Sequence, residues 1–386
     1  MAEQWYDESN PEQSDSESQE AEIIGEEQKP KQSKDERSVI IADLRKKINK
    51  KFGKGTTAPG NKLLVEMERI PTGIFSLDEA LGGGIPAGRM IMLKGDESAS
   101  KTTIALRAIG NAQNMCSNCW GWPTCTCGEN RDAFCCFLDQ EGALDILWSE
   151  RFVDLSRLEV QRPITAEETV EVGSWWLRSG QVDLLVLDSL AAMATADEIE
   201  GKSHMGQLPR LGNEAMRRWQ SAQNECRKKY NRIPTIILIN QVRSKIGVVF
   251  GDPRTYPGGH GQRFSTTADI ELRKGKYTMD KDTGSPISVS FGFRVSKNKS
   301  APANRSGEFI MMMADTETKQ MGDIYDEKVV VAESEQFGIV KKEGKTYRLG
   351  EQTFASKIDT IKYMLENRDV FEELKLELMK LKLRQE

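Results

Sequence analysis

The segment Gly95-Asp96-Glu97-Ser98-Ala99-Ser100-Lys101-Thr102-Thr103 stands between the apolar run MIMLKG and the helical pattern TTIALRAIGNAQ. A strand, a turn of small residues and a helix in that order make a phosphate-binding loop. Backbone N–H groups cradle the phosphates, Lys101 reaches the β- and γ-phosphates, and the Thr102 hydroxyl ligates Mg2+. One position departs from the usual pattern: glycine is expected before the lysine, and Ser100 stands there. Serine is small enough to allow a near-normal loop, whereas a changed backbone angle at that point would weaken nucleotide binding. The run LLVLD ends in Asp188, a second carboxylate able to hold Mg2+ through water. FLDQE brings Glu141 to another strand end, where a carboxylate orients or deprotonates the water attacking a γ-phosphate. The bland alternatives are an ordinary strand–turn–helix and a solvated strand-end glutamate; loop and Asp188 together argue against the first.

A second cluster is built from sulfur. Six of the seven cysteines fall within 21 positions, and Cys116-x2-Cys119 with Cys125-x-Cys127 offers four thiolates among the turn residues Gly121, Pro123 and Gly128. A tetrahedral Zn2+ would staple so small an excursion. The C-x-C half is less usual in its spacing, and unliganded or redox-active thiols are the alternative. Cys135 and Cys136 belong to an apolar run and read as core. His204 and His260 are the only histidines, which excludes a site built from several imidazoles.

These groups need a frame. MIMLKG (90–95), AFCCFLD (133–139), DLLVLDS (183–189) and TIILINQ (235–241) are short, nearly continuous apolar runs, as parallel strands covered on both faces require. Their alternation with helical patterns predicts an α/β core with right-handed crossovers and a mainly parallel sheet. ADIELRKG and PISVSFGFRVSKNK extend that sheet. SVIIADLRKKINKKF (38–52) predicts an amphipathic helix ended by Gly53, Gly55, Pro59 and Gly60. Residues 321–386 read as a small C-terminal α+β domain, with paired short segments in 335–350 and helix over 355–383. The expected organisation is a disordered acidic tail (1–36), an N-terminal helix and linker (37–68), and a core (69–320) carrying a cysteine-rich insertion (115–131).

The net charge of −5 hides an asymmetry: residues 1–36 carry twelve acidic and three basic side chains, while the rest has 51 basic against 47 acidic. An acidic tail on a mildly basic body is compatible with tail-regulated nucleic-acid binding. No apolar run approaches the ~20 residues that cross a bilayer. MAEQWYDESN lacks a basic start and an apolar stretch, so no membrane partner and a cytoplasmic location are expected.

In this order, GDESASKTT, FLDQEGALD, LLVLDSLAAM, EIEGKSHMG and INQVRSKIGVVFGDP resemble the bacterial RecA recombinase family. FGKG, TGIFSLDEALGGGIPAGR and RVSKNKSAPA add to the likeness, which covers roughly residues 40 to 380. The departures from the family pattern suggest a divergent phage or mobile-element member. The resemblance implies a RecA-type core binding ATP and Mg2+, with helix 38–52 and Phe264 at contacts between subunits. It makes Glu141 the catalytic base, Asp145 and Trp148 adenine contacts, and Gln241 the γ-phosphate sensor. Lys297 and Lys299 would reach the ATP of the neighbouring subunit, much as an arginine finger does.

The resemblance also assigns two loops to single-stranded DNA. The first, 199–212, holds Met205, Gly206 and Arg210, followed on a helix by Asn213 and Arg217. The second, 243–264, holds Arg243, Lys245, Ile246, Gly258 and Gly259. Both combine cations for phosphates with glycine and with apolar side chains that wedge between bases, and neither is easily assigned regular structure. Departures accompany the likeness: the first loop is shorter than the family's, Pro209 and Gly212 replace better helix formers, and the chain ends in basic KLKLRQE.

The expected function is an ATP-dependent recombinase that forms helical filaments on single-stranded DNA, pairs it with double-stranded DNA and hydrolyses ATP when DNA is bound. The rivals are a RecA-fold hexameric motor or helicase, which the long second loop and the Lys297/Lys299 pair argue against, and a filament protein whose hydrolysis has been lost through Ser100.

Overall fold

The computed structural model describes residues 34–53, 55–63, 67–121, 125–202, 206–244, 254–255 and 262–384. The chain divides into two units, 1–58 and 59–386. In the first, α1 (Lys34–Phe52) begins four residues before the expected helix and takes in the last residues of the predicted tail. Lys34, Asp35 and Glu36 contain no breaker, so the helix continues through them. Val39, Ile40 and Leu44 on α1 are more than half exposed.

The second unit is built on one eight-stranded sheet. Its strands in chain order are β1 (Met90–Gly95), β2 (Cys135–Asp139), β3 (Leu158–Gln161), β4 (Leu184–Asp188), β5 (Thr235–Gln241), β6 (Ala268–Met279), β7 (Pro286–Asn298) and β8 (Arg305–Met312). Across the sheet the order is β8-β7-β6-β1-β5-β4-β2-β3. From β6 to β3 all neighbours run parallel; β7 and β8 join antiparallel at one edge. This is the mainly parallel α/β core that the apolar runs imply. The edge strand β3, whose LEVQ is largely half-buried, has too weak a pattern to be read from sequence.

The strands bury both faces, with a period of two. Ile91, Leu93, Cys135, Phe137, Leu184, Val186, Ile237 and Ile239 face one core together with Ile104, Ala105, Ala108 and Ile109 of α3 (Lys101–Gln113), which follows α2 (Phe75–Leu81). Met90, Met92, Cys136, Leu138, Leu185, Leu187, Ile236 and Leu238 face the other, with Leu177 of α4 (Ala166–Ser179) and Met216, Trp219 and Ala222 of α5 (Gln207–Tyr230). Helices on both faces satisfy continuous apolar strands, which is why those runs do not alternate with polar residues.

Downstream, α6 (Glu327–Gln336), a three-stranded antiparallel sheet β9–β10–β11 (Lys341–Glu343, Thr346–Leu349, Gln352–Phe354), α7 (Lys357–Glu366) and α8 (Arg368–Arg384) surround their own apolar cluster. Val330, Val340, Met364, Phe371 and Leu378 fill it, and Phe75 of α2 joins them. No helix among the described residues is long and apolar enough to cross a membrane.

Candidate active site

The residues singled out for chemistry gather where the parallel strands end. Gly95 closes β1 beside Gln241 closing β5, and Asp139 closes β2 beside Asp188 closing β4. Open parallel sheets bind ligands at this carboxyl edge. A Cβ on Gly95 would lie 2.5 Å from the carbonyl oxygen of Leu272 on β6, so the close approach of the two strands requires glycine there. The chain then turns through Ser98 (φ 58°) and Ser100 (φ 67°, ψ 18°) into the first turn of α3. Ser100 thus adopts the left-handed angle that glycine favours, and the loop keeps the near-normal path that a residue so small allows. Its hydroxyl oxygen is buried without a hydrogen-bond partner.

Lys101, first residue of α3, is buried and donates from Nζ to the carbonyl oxygens of Asp96 (2.6 Å) and Gly95 (3.2 Å). Burial lowers its pKa, while Asp188, Glu141, Asp96 and Glu97 oppose that shift. The Thr102 hydroxyl donates to Asp188 Oδ2 at 2.5 Å. Burial pushes the Asp188 carboxyl up to about 6; the Thr102 hydrogen bond opposes this, Glu141 adds to it, and Lys101 opposes it. Hydroxyl and carboxylate oxygens are hard donors of the kind Mg2+ takes, so the pair fits that ion. Glu141 Oε1 accepts from Ser189 Oγ at 2.7 Å and from Gln241 Nε2 at 2.6 Å.

Above these groups lies a cavity of about 340 Å³ lined by the loop from Glu97 to Thr103, by Glu141, Trp148, Asp188 and Gln241, and by side chains of β6 to β8 and beyond. Trp148 Nε1 donates to Thr103 Oγ1 at 3.3 Å. Asp145 does not line this cavity; its carboxylate accepts from the Trp148 amide at 2.7 Å and faces a neighbouring hollow. The sequence reading missed the far wall: Lys274, Tyr277, Val289, Phe291, Met311 and Met313. The period-two pairs Val289/Phe291 and Met311/Met313 carried the only signal for it. Loop donors, a buried ammonium and strand-end carboxylates beside an apolar wall can hold a nucleoside triphosphate.

Lys297 and Lys299 do not line this cavity. Lys297 Nζ donates to the carbonyl and, at 3.2 Å, the hydroxyl of Thr266; Lys299 Nζ donates to the Phe264 carbonyl at 3.4 Å. Phe264 itself is 80% exposed.

The first predicted DNA loop is shorter than expected, because α5 begins at Gln207 directly after Gly206 (φ 90°). Arg210 therefore joins Asn213 and Arg217 on the helix where those two were expected, and Arg210 and Arg217 are exposed. Pro209 is tolerated because a first-turn residue has no intrahelical N–H bond to lose. In the second loop, Arg243–Ser244 pairs antiparallel with Arg254–Thr255, regular structure that was not expected. Met205, Lys245, Ile246, Gly258 and Gly259 lie outside the described residues.

Comparison with known proteins agrees with this architecture. The family model described as the RecA N-terminal domain matches residues 39–317. A Protein RecA of Ruminococcus albus is 36% identical over 338 residues, covering 85% of this chain and 76% of its own. One from Saccharopolyspora erythraea is 35% identical over 334 residues (85% and 88%), and one from Lactobacillus delbrueckii subsp. bulgaricus 33% over 356 residues (90% and 98%). Likeness sustained along most of each chain is likeness of a whole fold, and the chain belongs to the RecA family.

Proposed function

We propose that the protein is an ATP-dependent DNA recombinase that polymerises on single-stranded DNA, holds it for pairing with a duplex, and hydrolyses ATP to release it. One observation carries this reading. Gln241, the last residue of β5, hydrogen-bonds Glu141 at the phosphate loop, and the basic segment 243–264 begins two residues later. A group at the γ-phosphate position would compete for the Gln241 amide and shift the backbone that leads into that segment.

In this reading Lys101 and the loop amides hold the triphosphate, Thr102 and Asp188 hold Mg2+, and Glu141 takes the proton of the attacking water. Mg2+ held by that pair would supply neutralisation of phosphate charge. Lys297 and Lys299 serve the site of the next subunit, in keeping with their place outside their own cavity. The apolar stripe of α1 packs on an adjacent copy, and the basic segments grip the DNA backbone while base pairing tests sequence.

The test is electron microscopy of the protein with single-stranded DNA and a non-hydrolysable ATP analogue, alongside hydrolysis assays. Helical filaments, and hydrolysis that rises with DNA and vanishes in Lys101→Ala, are expected. Closed rings on protein free of DNA would favour a motor. Absence of hydrolysis in the unaltered chain would mean a binding protein instead.

A further inference from the structure

Between α3 and β2 the chain leaves the core near Met115 and returns at Ala133. Its two legs are joined by a bridge between Cys116 and Asp132 and by the Ser117 amide donating to the Arg131 carbonyl at 2.8 Å. From Ser117 to Asp132 no described apolar side chain is fully buried; Trp120 alone packs partly against the main core. So small an excursion has no interior of its own to fix its path.

What it does have is sulfur. The Sγ atoms of Cys116, Cys119, Cys125 and Cys127 all lie within 4.8 Å of one another. Cys116 and Cys127 are 3.6 Å apart, Cys125 and Cys127 3.4 Å, and Cys119 and Cys125 3.8 Å. Four sulfurs bound to one ion at about 2.3 Å form a tetrahedron with edges of about 3.8 Å, close to these separations. Thiolates carried by separate irons of a cluster stand further apart. All four cysteines are free of disulfides, and the Arg131 amide points at the Cys116 sulfur at 3.4 Å, as a donor supporting thiolate charge would.

We propose that Cys116, Cys119, Cys125 and Cys127 bind one Zn2+ that staples this extension, at the end of the sheet opposite the triphosphate site. Soft sulfur donors select zinc over Mg2+ or Ca2+, and four protein ligands leave no open position for a reacting water, so the ion is structural. The location follows from β4. Asp183, just before that strand, is buried and receives Arg131 Nη1 at 3.2 Å and Arg232 Nη2, and Arg232 also donates to the Gly180 carbonyl at 2.8 Å. Arg131 Nη1 reaches the Ser117 hydroxyl as well, at 2.9 Å. The extension is thereby clamped to the amino end of β4, while Asp188 at the carboxyl end meets Thr102. Five residues of strand separate those ends by about 16 Å. Binding releases thiol protons to solvent and couples the metal to the order of residues 116–131, not to the nucleotide groups.

The experiment uses the full chain purified in reducing buffer without added metal. Elemental analysis should give about one zinc per chain. Exchange into Co2+ should give the intense visible bands of a tetrahedral thiolate site. In Cys119→Ser/Cys125→Ser, zinc should fall below about a tenth per chain, and amide hydrogen exchange should accelerate within 116–131 while ATP affinity stays within about twofold. Chelation of the unaltered protein should reproduce that local acceleration. Folded protein without stoichiometric zinc, iron or an iron–sulfur chromophore in its place, or zinc retained by the double variant would each overturn the proposal. Metal counting does not depend on DNA or hydrolysis, so failure of the recombinase reading and failure of this one are separately visible.

Discussion

Gln241 and Glu141 are joined across an intervening strand: the Gln241 amide, ending β5, donates at 2.6 Å to the carboxylate that follows β2, and β4 lies between them. Ser189, which follows β4, donates to the same oxygen. Three strand ends therefore converge on one carboxylate next to the phosphate loop. In the proposed reading a γ-phosphate would compete for the same amide, which would give the strand end two alternative partners.

Gln241→Ala removes that choice. ATP binding, assigned in this reading to the loop and Lys101, should change little. The preference for DNA with ATP over DNA without nucleotide should shrink by roughly 5–150-fold, the usual range of a coupling between two sites. Fluorescence anisotropy on a labelled oligonucleotide with and without the ATP analogue measures it. A preference as large as in the unaltered chain would remove Gln241 from the coupling.

Glu141→Gln keeps both hydrogen-bond donors near a carbonyl oxygen and removes the proposed base. Hydrolysis should fall by about 10²–10⁴-fold with ATP affinity preserved, since general-base contributions are of that size. A phosphate-release assay beside equilibrium nucleotide binding separates the two quantities. Loss of affinity with little change in turnover would assign Glu141 to binding instead.

Ser100 is a different kind of departure. A non-glycine residue in the left-handed region costs about 1–2 kcal/mol, and an unsatisfied buried hydroxyl adds to that. Glycine returns part of the gain through greater freedom of the unfolded chain. Ser100→Gly should therefore stabilise the nucleotide-free protein by roughly 1 kcal/mol, a rise in Tm of about 1–2 °C. Ser100→Ala keeps the backbone cost and removes the hydroxyl, so thermal melts of the two variants divide the effect. A lower Tm for the glycine variant would mean that the left-handed angle carries no strain here.

Much of this site is legible in the sequence. Continuous apolar runs marked four of the parallel strands, because two buried faces leave no polar alternation to confuse the pattern; their ends then located Lys101, Thr102, Glu141, Asp188 and Gln241. What escaped was tertiary. The cavity wall of Tyr277, Phe291 and Met311 comes from strands whose outward and inward residues are both apolar in places, so nothing local marks one face as a binding wall. The start of α5 was hidden by Pro209 and Gly212, which read as loop although a first turn tolerates proline and the buried Trp219 and Met216 further along hold the helix in place. Ser100, small enough for a near-normal loop, takes the left-handed angle that the turn into α3 imposes.

Lys297 and Lys299 test the division of labour between copies. If they act on the neighbour's nucleotide, Lys101→Ala and Lys299→Ala should each abolish hydrolysis, and mixing them should restore it. A head-to-tail interface joining one good Lys101 to one good Lys299 forms in about a quarter of random contacts, so about that fraction of activity returns. No recovery on mixing, with both variants still binding DNA, would place the action of Lys299 within its own subunit.

Asp188 links the site to pH with a definite sign. Its carboxyl titrates at about 6 in the folded chain against an ordinary value of 3.8, because burial disfavours the charge. The folded state therefore holds this proton more tightly than the unfolded state, and stability falls as pH rises from about 4 to about 6, then levels off. The loss is on the order of 3 kcal/mol. Asp188→Asn has no such proton to lose. Compared with the unaltered chain in urea melts without nucleotide, the variant should gain relative stability across that interval and remain the more stable at pH 7.5. It should also lose Mg2+-dependent ATP binding, since Thr102 would keep no anionic partner there. Parallel pH profiles for the two proteins would show that the buried carboxylate carries no such cost, and that the site is built around its charge rather than in spite of it.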